Sequence, residues 1–313
     1  MKTEITKKNL PLVSVCMITY NHAAYIESAV DGIIKQNYRG PIELIIVNDN
    51  SPDDTNKIVH EILKKNHNNV KIRYYNNKEN LGVMNNFYFA LSLCRGKYIA
   101  LCEGDDFWTD DEKLSIQIAV LENNASCSFS FHKSCKVKNN DEHTIYSIFP
   151  VKNKSGVVKA KEFFRMGGKA TSSIVFRNLF TYNIIKINHS HGDFLLYLMF
   201  YEIGNGFYVN RIMSTYRGHI LGISFGKGSL RYQKKRIEEL DLETLLFKNK
   251  VVIKEIKYQI VYHAFYMLLQ NRKKLQRNDF MKYFSIFIKS TGFFSVFLTF
   301  FRKWILLKSL LYE

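Results

Sequence analysis

Four short apolar runs, each closed by a polar break, set the rhythm of the first 125 residues. They are "VSVCMIT" (13–19), "IELIIV" (42–47), "VKIRYY" (70–75) and "GKYIALC" (96–102). Their length and β-forming side chains read as buried strands. Between them the apolar spacing switches to helical. Ile26, Ala29, Val30, Ile33 and Ile34 share one face, as do Ile58, Val59, Ile62 and Leu63. A third helix follows Asn80-Leu81-Gly82 and runs to Leu93. Two start signals are explicit. Ser51-Pro52-Asp53-Asp54 spells an N-cap serine, a proline at the first helical position and acids in the first turn. Thr109-Asp110-Asp111-Glu112 spells a capping box that opens a fourth helix, ending near Glu122. Strand and helix in alternation predict a parallel sheet with crossover helices.

In such sheets ligands lie at the carboxyl ends of the strands. Three polar clusters fall there: Tyr20-Asn21, Asn48-Asp49-Asn50, and the stretch from Glu103 to Asp106. After Asn124 the pattern loosens into short β-like segments at 127–132, 144–149, 174–176 and 206–209. An apolar helix at 191–204 interrupts them, with Asp193 near its start, and from Ser229 the chain reads as helical.

Charge changes the picture at one end only. The net formal charge is +17 over 313 residues. Residues 226–313 carry 18 Lys/Arg against 7 Asp/Glu, so most of the excess is there. A basic segment of this kind suits an anionic partner. The aromatics at 281–313 are grouped rather than interleaved with arginine, which argues against nucleic acid. The uncharged run at 290–301, with Lys289, Arg302, Lys303 and Lys308 around it, is too short for a span. Its composition fits an amphipathic helix on an anionic membrane surface, or a helical cap on the preceding domain. Five cysteines, an odd number without a CxxC pair, fit a reducing compartment, and the first residues lack a signal-peptide core.

The chemistry concentrates in "CEGDDFW" (102–108). Carboxylates at a strand end suit a hard divalent cation, magnesium or manganese, with positions left for phosphate oxygens. The bland alternative is a solvated turn. Four motifs in order decide between them: "VSVCMITYNHAAYIESAVDGIIKQ", "IELIIVNDNSPDDT", "NLGVMNNFYFAL" and "GKYIALCEGDDFWTDDEKL". Together they resemble the family 2 glycosyltransferases, closely over 11–125 and more loosely to about 225.

The resemblance implies a GT-A fold: α/β, Rossmann-like, with a mostly parallel central sheet flanked by helices. Here it would carry a helical basic C-terminal extension. The implied division is an N-terminal tail (1–10), a nucleotide-sugar-binding half (11–125), an acceptor half (126–225) and the extension (226–313). The family uses a nucleotide-sugar donor, usually UDP-linked, and a divalent metal, Mn2+ or Mg2+. Carried over, Thr19, Tyr20 and Asn21 line the base and ribose, and Asp49 accepts from the base. Asn80 and Asn86 stand near the donor. Asp105 holds the metal, with Glu103 and Asp106 beside it at the donor. "HGDFLLYLMFYEIG" and "MSTYRGH" resemble the family's second half. They imply Asp193 as the base that deprotonates the acceptor, Arg217 at the diphosphate and His219 at the metal or diphosphate.

Two departures stand out: the second strand ends Asn48-Asp49 rather than Asp-Asp, and "NNF" (85–87) lacks a basic residue often found there. Plainer readings exist for the single residues. Asp49 could close an Asx-turn, Tyr20 could be a core aromatic, Asp193 could cap its helix, and Arg217 and His219 could be surface residues. His189-x-His191-x-Asp193 lacks a third convergent ligand for zinc.

The expectation is an inverting hexosyl- or N-acetylhexosaminyltransferase of bacterial surface-polysaccharide synthesis. It would act on a glycan or lipid-linked acceptor, peripherally on the inner, cytoplasmic face of the plasma membrane. A sugar-nucleotidyltransferase is disfavoured because "TYNHAAYI" has no glycine-rich basic loop. A non-catalytic nucleotide-binding scaffold is the third reading.

Overall fold

A computed structural model of the chain describes residues 10–65, 67, 70–138, 141–166, 168–179, 192–218, 230–270 and 276–289. The four expected strands form as β1 (Val13–Thr19), β2 (Ile42–Asn48), β3 (Val70–Asn76) and β4 (Tyr98–Leu101). They lie parallel, β3-β2-β1-β4, with Thr19 opposite Asn48 and Asn48 opposite Asn76. Three strands therefore end at one level, which brings their polar breaks to a common edge.

The crossover helices are α1 (Ile26–Ile34), α2 (Thr55–Leu63), α3 (Val83–Leu93) and α4 (Lys113–Asn123). Val13, Val15 and Met17 of β1 pack with Ile26, Val30 and Ile33 of α1 and Leu44 and Ile46 of β2 in one aliphatic core. Two helix starts differ from the sequence expectation. α2 begins at Thr55, not after Ser51, because the Ser51 hydroxyl is spent on Asn48 Oδ1. α4 begins at Lys113, not after Thr109, because the Thr109 amide donates to the Met213 carbonyl across the sheet.

The rest of the sheet is mixed. Its strands are β5 (Phe107–Trp108), β6 (Cys127–Lys138), β7 (Asp141–Phe149), β8 (Gly156–Val158), β9 (Val175–Arg177) and β10 (Asn205–Gly218). The path continues from β4 through β9, β6 and β10 to β5, with β7 on β6 and β8 on β10. β5 and the length of β10 were not legible as strands. "FW" is too short to show a period, and β10 passes through exposed and buried stretches with three register shifts against β6. α5 (Ala160–Arg165), a 3-10 turn (Thr171–Ser173) and α6 (Gly192–Ile203) complete this part.

The core here is aromatic. Phe129 stacks on Phe200 at 4.8 Å and meets Phe163 edge-on at 5.3 Å. From Leu195 to Tyr201 every residue of α6 is buried, which explains why its sequence is apolar all round. That burial fixes the start of the helix, and with it Asp193.

By its internal contacts the chain divides into two compact units, residues 1–222 and 223–313. The second contains α7 (Leu230–Glu243), α8 (Lys250–Gln270) and α9 (Arg277–Lys289). Ile237, Ala264, Met267 and Tyr283 form its core. Among the described residues no helix is long and apolar enough to cross a membrane.

Candidate active site at the carboxyl edge of the sheet

Two connections leave the edge side by side and are sewn together. The Asn21 amide donates to the Ser51 hydroxyl (3.0 Å), the His22 amide to the Thr55 hydroxyl (3.0 Å) and the Ala23 amide to Asp53 Oδ2 (2.9 Å). Each connection turns on an asparagine in the left-handed region, Asn21 (φ 60°) and Asn50 (φ 57°), which asparagine tolerates better than most residues. Burial opposes the charge of Asp53. Donors from Thr55 and Ala23, and the nearby His22, outweigh it and hold the carboxyl below its ordinary range.

Asp49 lies one residue past β2 and is 2 % exposed. Its Oδ1 accepts the Leu81 amide (2.8 Å) and the Asn77 side-chain amide (2.9 Å), and its Oδ2 accepts the Gly82 amide (3.0 Å). Asn77 also donates to Asn86 Oδ1, and Asn86 donates to the Val47 carbonyl. This chain of bonds pins the loop after β3 against β2. Gly82 adopts φ +80°, a conformation that glycine takes without strain. Asn86 is thus a buried anchor of α3, not a group presented to a ligand. Asn80 is exposed beside it, and its side-chain oxygen accepts the Gly82 amide.

The acidic stretch runs along β1. The Cys102 amide donates to the Cys16 carbonyl and the Gly104 amide to the Ile18 carbonyl. The approach is close. A Cβ at position 104 would lie 2.7 Å from the Thr19 hydroxyl and 3.0 Å from His22 Nδ1, so glycine is required there. Thr19 is buried beneath it, while Tyr20 is 45 % exposed at the rim.

Three carboxylates follow from this path. Glu103 accepts from the Thr171 hydroxyl (2.6 Å). Asp105 lies 3.6 Å from His22 Nε2 and keeps 19 % of its side chain exposed. Asp106 is buried and accepts the Arg217 amide (3.1 Å). Burial, then the charge of Asp105, pushes Glu103 up to about 7, with Asp193 adding to the rise. Burial, then the charges of Asp105 and Glu103, push Asp106 well above the carboxylate range. Asp193 is exposed in the first turn of α6 and its Oδ1 accepts the next amide, Phe194 (2.8 Å).

Arg217 does not face outward. It is 3 % exposed, with Nη1 on the Asp105 carbonyl (2.9 Å), Nη2 on the Ser28 hydroxyl (2.8 Å) and the guanidinium 4.2 Å from the Phe107 ring centre. Its planar fork ties β10 to the acidic turn and to α1, a positioning duty in place of the expected phosphate contact. His219 lies outside the described residues, as do His189 and His191.

The site therefore gathers Thr19, Tyr20, Asn21, Asp49, Asn80, Glu103, Asp105 and Asp106 at one edge, with Asp193 near enough to act on Glu103 electrostatically. His22, Asn77, Gly104 and Thr171 belong to it and were not singled out from sequence. A histidine directly after Tyr-Asn and a glycine between carboxylates were the available signals. The donor set suits a hard cation: carboxylates whose charge burial disfavours are relieved by a positive ion. Among the described residues no three His, Cys, Asp or Glu side chains form a ready cage. A cation here would take Asp105 and fill its other positions from ligand oxygens and water.

Residues 14–180 match the family model for Glycosyl transferase family 2. The chain belongs to this family. An uncharacterized protein of Mycobacterium tuberculosis is 32% identical over 211 residues, 67% of this chain and 60% of that protein. The chain thus spans about 60% of the length of such relatives. Chondroitin synthase of Escherichia coli is 25% identical over 263 residues, 81% of this chain and 35% of that protein. Staphylococcus aureus TarS, solved in complex with UDP-GlcNAc, superposes with a TM-score of 0.61 at 14% identity, over 88% of this chain and 79% of that one. The mannosyltransferase PcManGT of Pyrobaculum calidifontis, in complex with GDP-Man and Mn2+, does so with a TM-score of 0.52 at 14% identity, over 85% and 76%. At those identities the likeness is one of fold, the GT-A arrangement.

Proposed function

We propose that this family 2 chain transfers a sugar, with inversion, from a nucleotide-sugar donor to a glycan or lipid-linked saccharide acceptor. The observation that carries the reading is the acidic turn: Glu103, Asp105 and Asp106 at the edge where the strands end, with Asp193 in electrostatic reach. The UDP-GlcNAc and GDP-Man complexes of the two structural neighbours support a nucleotide-sugar donor as the class. UDP is the nucleotide of first choice from the sequence motifs.

Each residue has a part. Tyr20, exposed at the rim, offers a face to the base, and Asn80 stands beside the same opening. Asp105 would hold Mn2+ or Mg2+. When bound, the cation supplies positive charge against the diphosphate as it leaves. Asp193 accepts the proton of the acceptor hydroxyl as its oxygen attacks the anomeric carbon and the nucleoside diphosphate departs. One displacement inverts the anomeric centre. Asp49, Asn86 and Arg217 hold the walls.

The basic second unit supports association with an anionic membrane surface, where a lipid-linked acceptor of surface-polysaccharide synthesis would be met, on the cytoplasmic face. The test is thermal-shift binding of UDP, GDP, CDP, dTDP and ADP, each with Mn2+ and with chelator. A selective shift that chelator and Asp105→Ala both abolish is expected. No shift with any nucleotide would favour the non-catalytic scaffold instead.

A further inference from the structure

The connection between α7 and α8 turns sharply and is well bonded. Leu245 donates to the Leu242 carbonyl (3.1 Å), Leu246 to the Glu243 carbonyl (3.0 Å) and Val251 to Asn249 Oδ1 (2.9 Å). Phe247 points inward and is buried. The same turn throws Leu245 outward, 81 % exposed, between Leu242 (54 %) and Val251 (52 %). Three aliphatic side chains thus share one exposed corner.

Its charge is one-sided. Lys248, Lys250, Lys254 and Lys257 are all exposed around it, the last three on one stripe of α8 at i, i+4 and i+7. Of the nearby carboxylates Glu238 and Asp241 are exposed, two against these four lysines, so the corner stays net positive. Glu243 is buried against Arg236 (3.0 Å) and Glu255 is buried. A solvated lysine face alone would not need three aliphatics at its apex.

We infer that this corner is the docking edge for an anionic lipid surface, with Leu242, Leu245 and Val251 entering the acyl boundary and the lysines meeting the headgroups. The inference rests on the membrane reading above and names its surface, which differs from the 281–313 segment to which the sequence drew attention. Charge selects this occupant over two others. A second copy of the chain would bring lysines against lysines. Residues 290–313 carry Arg302, Lys303 and Lys308 against Glu313, so they offer the corner no counter-charge. A lipid surface satisfies both the apolar apex and the cationic fringe.

The full chain would be floated with phosphatidylcholine vesicles, with and without phosphatidylglycerol. Binding is expected only with phosphatidylglycerol. Lys250→Glu with Lys254→Glu should weaken it by at least about thirtyfold. Leu242→Asn with Leu245→Asn should weaken it by at least about tenfold. Both pairs are exposed and should leave the melting temperature and the nucleotide shift in place. A polarity-sensitive dye on Leu245→Cys should shift blue with anionic vesicles, and one on the exposed Val151→Cys should not. All five native cysteines are buried, so labelling is selective.

If the corner variants bind vesicles like the parent chain, and reversing Arg302, Lys303 and Lys308 abolishes binding, the corner is not the docking edge although the membrane reading holds. If the parent chain floats with neither vesicle while its nucleotide shift is intact, the membrane reading itself fails. If the leucine variants instead lower the molecular mass in light scattering without vesicles, a second copy covers the corner and the inference is overturned.

Discussion

Two turns at one edge of the sheet treat their carboxylates in opposite ways. Asp49 is buried and receives three N–H donors, two from the backbone of a neighbouring loop. Two residues past β4, the Glu103 to Asp106 turn crowds its carboxylates, and burial followed by the charge of Asp105 pushes both Glu103 and Asp106 up. The first turn spends its charge on the fold. The second crowds carboxylates whose charge burial disfavours, and such a turn is poised for a cation or a cationic transition state. Motif matching alone assigned both to the donor. Counting donors separates them.

The contrast would break most visibly on Asp105. Asp105→Ala should cut kcat/KM with a nucleotide sugar by at least about 10³-fold. The melting temperature should hold or rise, since a like charge leaves the turn. A large fall in melting temperature with activity retained would reverse the roles of the two turns. Next is Asp193→Asn, expected to lower kcat by about 10²–10⁴-fold. Asp193 is exposed and its Oδ1 accepts the next amide, so the substitution should leave stability almost unchanged. Unchanged turnover would make Asp193 a simple helix cap.

Asp49→Ala is the counterpart on the satisfied side. It strips acceptors from buried amides and should cost about 2–3 kcal/mol, a fall on the order of 5–10 °C in melting temperature. Loss of nucleotide affinity without loss of stability would return Asp49 to the donor.

The smallest effect sharpens the electrostatics. Glu103 ionises at about 7 in the folded chain against an ordinary 4.5. Between those values the folded chain binds the extra proton, so this group's contribution falls as pH rises through 7. Glu103→Gln should raise the melting temperature at pH above 7 and flatten its slope below. Added Mn2+ should stabilise the parent chain more as pH rises. A slope unaltered by the substitution would mean that Glu103 is not the group at issue.

The strands β1 to β4 and helices α1 and α3 were legible because apolar period is a local property. Asp49, Asp105 and Asp193 were legible as candidates because strand and helix ends can be counted. Helix starts were less so. Ser51 and Thr109 carry good capping chemistry, but tertiary partners claim them first, the Ser51 side chain by Asn48 and Asn21, the Thr109 amide by Met213. Arg217 misled for the same reason. A guanidinium near strand-end acids suits a phosphate, yet Ser28 and the Asp105 carbonyl already fill its fork.

By itself, then, the sequence determined the alternation of elements, the family-like motifs and the edge where the polar breaks collect, because these depend on residues close in the chain. Only the tertiary structure decided which carboxylates are satisfied and which are strained by their neighbours. That follows from donors far along the chain, Thr171 on Glu103 at 68 residues and the Arg217 amide on Asp106 at 111, and no local pattern encodes a partner so far away.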